Sequence, residues 1–330
     1  MNNEPAVRPE TAERVRAAAA ALSYSVNPAA RLLGGGRTHS LGMLVVARSQ
    51  WQWTADLVAG ALNRSRERGY GLVPHVLGVG DLGERETILA LAARRVVDGL
   101  LITTPWAEDQ DLLAELDRRG MPIALVPAPI GSEHPSVRAD EEGAAYALTR
   151  HLLDHGHKRI AVLAGQRTLD LTRQRLRGFQ RAMRETGVTV EPGLQILADY
   201  TFRTGVLESR KLLARESPPT AVFAFSDVLA AGALRAAHEI GLTLPRDLSV
   251  VGVGDLAVSQ MVWPALTTAA VPSTEMAAAA VDLLVEAIEG GPSPDREVVF
   301  ATRLIVRGSS GPAAGQAVAF QPLSPDPAGC

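Results

Sequence analysis

Residues 144–164, AAYALTRHLLDHGHKRIAVLA, carry the pattern that decides the fold. Apolar side chains recur at helical spacing from Ala144 to His155. Gly156 can then close the helix, and Ile160 to Ala164 is an unbroken apolar run of strand length. A run without polar alternation fits a parallel strand covered on both faces. The same hand-over recurs along the chain. Helix-period segments at Ala55–Arg68, Asp109–Arg119 and Val228–Ile240 end at Gly69, Gly120 and Gly241, each before a new apolar run. Further strand-length runs are Leu41–Val46, Tyr70–Val76, Gly99–Thr103, Ile123–Pro127, Gln195–Ala198, Ala221–Ala224 and Ser249–Val253. Repeated βα alternation predicts an α/β fold of doubly wound parallel sheets. The runs are too many for one small sheet, so two Rossmann-like subdomains are expected. Gly34-Gly35-Gly36 precedes the first run instead of following it, and so is not a dinucleotide fingerprint.

Composition narrows the class. The chain has 330 residues, enough for two core-forming units, and its 46% hydrophobic and 21% charged content is that of an ordinary globular protein. A net charge of -3 argues against a protein that coats nucleic acid, while leaving room for a local basic patch. The lone cysteine, Cys330, provides neither a disulfide framework nor a thiolate metal site. No apolar run is long enough to span a bilayer, and Glu4, Glu10 and Glu13 stand where a signal peptide would be basic. A cytoplasmic location, with no membrane partner, is expected. His151 and His155 are one helical turn apart, yet no glutamate lies between them as in zinc proteases and no third ligand is evident. A solvated helix end is the expected reading, with no metal. No Gly-x-Ser-x-Gly elbow, phosphate loop or catalytic triad is present, so no enzyme and no cofactor is expected.

The N-terminal forty residues add two helical segments. Pro9 to Tyr24 reads as one helix, with Val15, Ala18, Ala19 and Leu22 on one face. Asn27-Pro28-Ala29-Ala30-Arg31-Leu32-Leu33 reads as a second, capped by Asn27 and stopped by the glycines that follow. Distinct motifs come later: Asp154-His155-Gly156-His157-Lys158-Arg159-Ile160, Arg173-Gln174-Arg175-Leu176-Arg177-Gly178-Phe179, Ser226-Asp227-Val228-Leu229-Ala230-Ala231-Gly232-Ala233 and Pro245-Arg246-Asp247-Leu248-Ser249-Val250-Val251-Gly252. Leu266-Thr267-Thr268 and Leu304-Ile305-Val306-Arg307-Gly308-Ser309 complete the set. In this order and spacing, from Asn2 to Ser309, the chain resembles the LacI/GalR family of bacterial transcription regulators.

The resemblance implies a regulatory domain similar to periplasmic binding proteins, with two lobes, three crossovers and a ligand between the lobes. The crossovers would lie near Arg138–Asp140, Thr267–Val271 and Val298–Phe300. The implied units are residues 1–38, a remnant of a DNA-binding headpiece with its hinge helix; 39–138 with 271–297; 139–270 with 298–308; and a disordered tail at 309–330. The tail has no heptads of the kind that build a tetramer, so a homodimer is expected. In the hinge, the resemblance assigns Leu33 to a wedge between base pairs, Ala30 to the groove floor and Arg31, with Arg37, to phosphates. Packing of Leu32 and Leu33 onto the regulatory domain is the alternative. The family's helix-turn-helix would precede Pro9, and the match stops in mid-motif at Met1. We therefore expect that the native protein starts further upstream and has a complete headpiece, the alternative being a sensor that does not read DNA by itself.

Ligands of doubly wound sheets sit beyond the carboxyl ends of the strands. Trp51, Trp53, Trp106, Trp263 and Tyr200 all follow such ends, and an aromatic face suits the C–H side of a sugar or a base. For Trp51, Trp53 and Trp106 core packing competes evenly with ligand contact. Trp263 is expected at the dimer partner, and the resemblance places Tyr200 on the effector. Arg175 matches the family arginine that holds hydroxyls or a carboxylate through its planar fork. Two positions depart from the pattern. Ser226 replaces the usual Asn, and Gly254 stands where an Asp commonly accepts from a sugar hydroxyl, so Ser226 or Asp255 would have to substitute. The expected function is a ligand-responsive, DNA-binding transcriptional regulator, a repressor sensing a small sugar-like effector. The rivals are a solute-binding protein and, behind it, an enzyme acting on a sugar or nucleoside.

Overall fold

Two six-stranded sheets organise the computed structural model, which describes residues 8–21, 37–47, 51–78, 80, 82–291 and 297–313. The first sheet holds β1 (Ser40–Val46), β2 (Gly71–Leu77), β3 (Gly99–Ile102), β4 (Ile123–Leu125), β5 (Ser136–Ala139) and β11 (Glu297–Phe300). Its order is β11-β5-β4-β3-β1-β2, with every neighbouring pair parallel. The second holds β6 (Ile160–Ala164), β7 (Gln195–Leu197), β8 (Ala221–Ala224), β9 (Ser249–Gly254), β10 (Thr267–Ala270) and β12 (Arg303–Ile305), in the order β12-β10-β9-β8-β6-β7. β12 departs from the all-parallel expectation: it runs antiparallel to β10, with Thr268 opposite Ile305. It arrives from β11 through residues 301–302, and so short a link has no helical crossover to set it parallel.

The helices among the described residues are α1 (Pro9–Ala21), α2 (Trp51–Glu67), α3 (Glu84–Arg94), α4 (Gln110–Arg118), α5 (Glu141–Asp154), α6 (Asp170–Glu185), α7 (Phe202–Leu213), α8 (Asp227–Glu239), α9 (Val258–Met261) and α10 (Ser273–Glu289). They cover both faces of each sheet, which is why the strands read as unbroken apolar runs. In β1, Leu41, Met43 and Val45 point into the cluster under α2 and α10, while Leu44 points into the cluster under α3 and α4. The second sheet buries Phe179, Phe223 and Phe225 with the inner faces of its helices. Helices pack closely where glycine permits. A Cβ at Gly60 on α2 would stand 2.2 Å from the Thr274 carbonyl oxygen of α10.

The chain passes between the sheets three times: from β5 into α5, which packs on the second sheet; from β10 into α10, which packs on the first; and from β11 to β12. The stretches read in sequence as crossovers are thus largely the strands that run up to each passage. Two of the passages are tied together, since the Asp140 N–H donates to the Phe300 carbonyl at 2.9 Å.

Two expectations are corrected at the far end of the second sheet. The ordered chain does not stop at residue 308. Ser309 is fully buried and donates to the Val250 carbonyl, and the Ala313 N–H donates to the His155 carbonyl at 2.8 Å. Residues 314–330 lie outside the described residues. His151, His155 and His157 are not a solvated helix end, because this strap packs over them. His157 is buried, with Nδ1 3.0 Å from the Thr220 hydroxyl and Nε2 2.9 Å from the Gly311 carbonyl oxygen. His151 Nε2 lies 2.8 Å from the Ser310 hydroxyl.

α1 is helical over Pro9–Ala21, and Val15 and Ala18, read as its apolar face, are exposed. The last turn expected through Tyr24 and the second segment, residues 27–33, lie outside the described residues, so Ala30, Arg31 and Leu33 have no described position. Arg37 donates through Nη2 to the Ile288 carbonyl at 2.7 Å.

Candidate functional site

The carboxyl ends of the two sheets face one cavity of about 570 Å³. From the first sheet come Met43, Val45, Val46 and Ala47 at the end of β1, Trp53, Thr54 and Leu57 from α2, Thr103 to Pro105 after β3, and Pro127 after β4. From the second come Gln166 and Leu169 after β6, Leu171 and Arg175 on α6, Asp199 to Thr201 after β7, and Val253, Gly254 and Leu256 around the end of β9. Glu141, the first residue of α5, enters from the passage between the sheets.

Arg175 and Glu141 form the charged centre. The Arg175 Nε donates to Glu141 Oε2 at 2.7 Å, and each side chain is only 9% exposed. Nη1 donates to the Phe225 carbonyl. Among the described residues no acceptor is bonded to Nη2. The neighbouring carboxylates, Glu141 first, hold the guanidinium charged against the opposing pull of burial. Tyr200 is buried with its hydroxyl 3.0 Å from that of Thr172, and its ring lies on Gly165, where a Cβ would come within 2.2 Å of it. Burial pushes the Tyr200 phenol above its usual range, partly offset by Arg175.

Most other polar groups on the wall are occupied by the protein. The Thr103 hydroxyl donates to the Leu44 carbonyl at 2.9 Å, and that of Thr104 to the Pro127 carbonyl at 3.3 Å. Asp199 Oδ1 accepts from the Thr201 hydroxyl at 2.7 Å. Behind the wall Asp227 is fully buried, accepting from the Thr268 hydroxyl at 2.6 Å and the Leu256 N–H at 2.7 Å. Burial pushes its carboxyl up to about 6. Gly254 has φ 134°, a conformation closed to most L side chains, and a Cβ there would stand 3.1 Å from Leu256.

The structure brings Arg175, Tyr200 and Trp53 to this wall and places Trp106, Ser226 and Asp255 elsewhere, while the side chain of Trp51 lies outside the described residues. Trp106 is buried in the cluster between α3 and α4, and its indole N–H donates to Glu84. Ser226 caps α8, accepting from the Leu229 N–H at 3.2 Å. Asp255 turns away in a left-handed conformation, φ 56°, and pairs with Arg307 at 2.6 Å. Trp51 opens α2, and Trp263 is 83% exposed on the surface. Sequence reasoning passed over Glu141, Gln166 and Asp199. The acidic run Asp140-Glu141-Glu142 directly after a strand was the available signal for Glu141. Among the described residues no cluster of side chains is suited to a metal ion, and no helix is long and apolar enough to cross a membrane.

Known transcriptional regulators resemble this chain over most of its length. Residues 149–310 match the family model of a periplasmic binding protein-like domain. The chain is 32% identical over 317 residues to the HTH-type transcriptional regulator CelR of Thermobifida fusca, covering 94% of this chain and 92% of CelR. It is 30% identical over 312 residues to the HTH-type transcriptional repressor PurR of Photobacterium profundum, with 94% and 92% covered. The solved complex of CelR with cellobiose superposes with a TM-score of 0.77 at 30% identity, covering 94% of this chain and 93% of that one.

Proposed function

The chain belongs to the LacI family of transcriptional regulators, and from that premise we propose that it is a DNA-binding repressor whose operator affinity is set by a small effector in the cavity between the sheets. The observation that carries this is the convergence of Arg175 from the second sheet and Trp53 from the first on one cavity of about 570 Å³. An effector touching both walls binds the closed arrangement more tightly than an open one, which is the differential affinity a switch requires. The relatives support the DNA side, since both are named as HTH-type transcriptional regulators, and a solved CelR–cellobiose complex supports the effector side. The sheets move the expected bounds slightly, so the two regulatory units are assigned to residues 39–139 with 271–300 and 140–270 with 301–313, and α1 with the segment carrying Ala30, Arg31 and Leu33 is assigned to the DNA-binding headpiece of a homodimer.

The effector is a sugar or related polar metabolite that offers a flat face to Trp53 or Tyr200 and an acceptor to Arg175. Gly254 offers no carboxylate and the neighbouring threonine hydroxyls are internally bonded, so recognition of the effector's polar groups falls to Arg175, Glu141, Gln166 and Asp199. The test is a thermal-shift screen of mono- and disaccharides, nucleosides and nucleobases, followed by gel-shift titration on the DNA preceding this protein's own gene. A saturable rise in Tm that Arg175→Ala abolishes, with a matching change in salt-sensitive DNA binding, is the expected result. Turnover of the stabilising compound, or stabilisation that survives in Arg175→Ala, would overturn it.

A further inference from the structure

The three passages between the sheets lie at one edge. β5 and β11 form that edge of the first sheet, and β10 and β12 form it in the second. Hydrogen bonds that cross between the halves elsewhere must therefore hold the cleft shut and not merely hinge it. Between described residues such bonds meet at Asp170, the first residue of α6 and the residue that follows the β6 turn. Its Oδ2 accepts from the Ile130 N–H of the first half at 3.0 Å. Its own N–H donates to Glu108, just after β3 in the first half, with both carboxylate oxygens 3.0 Å away. Glu108 also lies 3.5 Å from the Arg173 guanidinium.

The sequence explains why α6 uses a partner from the opposite half. Its N-cap residue is Leu169, which has no side chain able to accept from the first turn, and no side-chain cap is made. An uncapped helix start presents unsatisfied N–H groups and the positive end of the helix dipole. Glu108 supplies the missing carboxylate across the cleft. Asp170 is held in place from within its own half by Arg173 Nη2 at 3.1 Å and Gln174 Nε2 at 2.8 Å. Five residues further along α6 is Arg175, on the cavity wall.

We propose that Glu108 and Asp170 form an inter-lobe latch: Glu108 caps α6 only when the cleft is closed, so closure completes the helix that carries Arg175. This rests on the effector-switch reading above and adds its regulation. The latch sets the resting ratio of closed to open cleft, and hence the fraction of molecules competent for the effector.

The experiment uses the full chain without effector. Spin labels at Leu82→Cys and Arg203→Cys, both exposed sites on opposite halves, are introduced with Cys330→Ser, and the inter-label distance distribution is measured. Glu108→Gln, Glu108→Ala and Glu108→Lys are compared. The long-distance population should grow in that order. Glu108→Ala should lower the closed-to-open ratio roughly ten-fold, as expected for loss of charge-assisted hydrogen bonds. Asp170→Asn, which keeps an acceptor for Ile130, should have a smaller effect than Glu108→Ala. Distributions identical across the series, in variants whose circular dichroism shows them folded, would overturn the latch. Because no effector is present, that failure is distinguishable from failure of the effector reading, which the thermal-shift screen decides.

Discussion

Among the described residues, the polar residues buried in the first half carry hydroxyls and no charge: Thr54, Ser65, Thr103, Ser136 and Ser273. The second half, with the passage into it, buries Glu141, His157, Asp170, Arg175 and Asp227. The cavity wall repeats the contrast. The first half lines it with apolar side chains and the hydroxyls of Thr54, Thr103 and Thr104, whereas the second sets Arg175, Gln166, Asp199 and Tyr200 among its apolar residues. An apolar wall excludes water and gives contact without direction, whereas fixed donors and acceptors give orientation. Under the proposed function, the second half orients the effector and the first covers it.

The severest way to break this comparison is Arg175→Ala. It leaves Glu141 as a buried carboxylate without its partner, which costs about 3–5 kcal/mol. Urea denaturation should show that loss, and the thermal response to the effector should vanish. Trp53→Ala, on the covering side, is half-buried and should cost roughly half of the ~3–5 kcal/mol of a fully buried aromatic. It should weaken effector binding without abolishing it. Equal effects of the two variants on binding would erase the division of labour. The next largest effect is expected from Gly254→Asp, which restores an acceptor at the cavity. The price is backbone strain at φ 134° and a contact at 3.1 Å with Leu256, together about 1–3 kcal/mol. A gain in affinity for hydroxyl-rich sugars despite the lost stability would sharpen the view that the recognising side limits what binds.

What could be read from the chain follows the same division. Long runs such as Ile160–Ala164 and Ala221–Ala224 are strands at those very bounds, because burial on both faces demands continuous apolar residues. β5, β10 and β11 were concealed. Ser136-Val-Arg-Ala and Glu297-Val-Val-Phe pair with each other near a sheet edge and carry polar residues, and Thr267-Thr-Ala-Ala is held partly by hydroxyl bonds to Asp227 and to residues 307–310. For the site, position after a strand was legible but direction was not. Trp53 and Trp106 both follow strand ends, yet a helical turn aims one at the cavity and the other beneath α3. Asp255 reads as a substitute acceptor for Gly254, but its pairing with Arg307 joins residues 52 apart, which spacing cannot reveal. The Glu108–Asp170 contact joins two halves of the chain and leaves no local signature beyond a helix start without a cap.

The smallest expected effect concerns pH, and it separates the buried groups of the second half by sign. Asp227 is pushed up to about 6 by burial, so in the folded state it prefers to be neutral. Its contribution to stability is fully present below the unfolded aspartate value near 4 and is lost as pH rises through about 6. His151 is lowered to about 4 by burial and by the nearby His155, and burial also lowers His157. Both prefer to be neutral when folded, so their contribution is present above the unfolded histidine value near 6.5 and is lost as pH falls. Between pH 4 and 6.5 the two trends oppose in the Tm of the native protein. Asp227→Asn removes one side of the balance and should make Tm fall more steeply toward pH 4. His151→Asn removes part of the other and should flatten the acid limb. Calorimetric scans of the three proteins across that range check both signs. Parallel curves for all three would mean that these buried groups do not titrate with the fold, and that the second half's polar interior is confined to positioning.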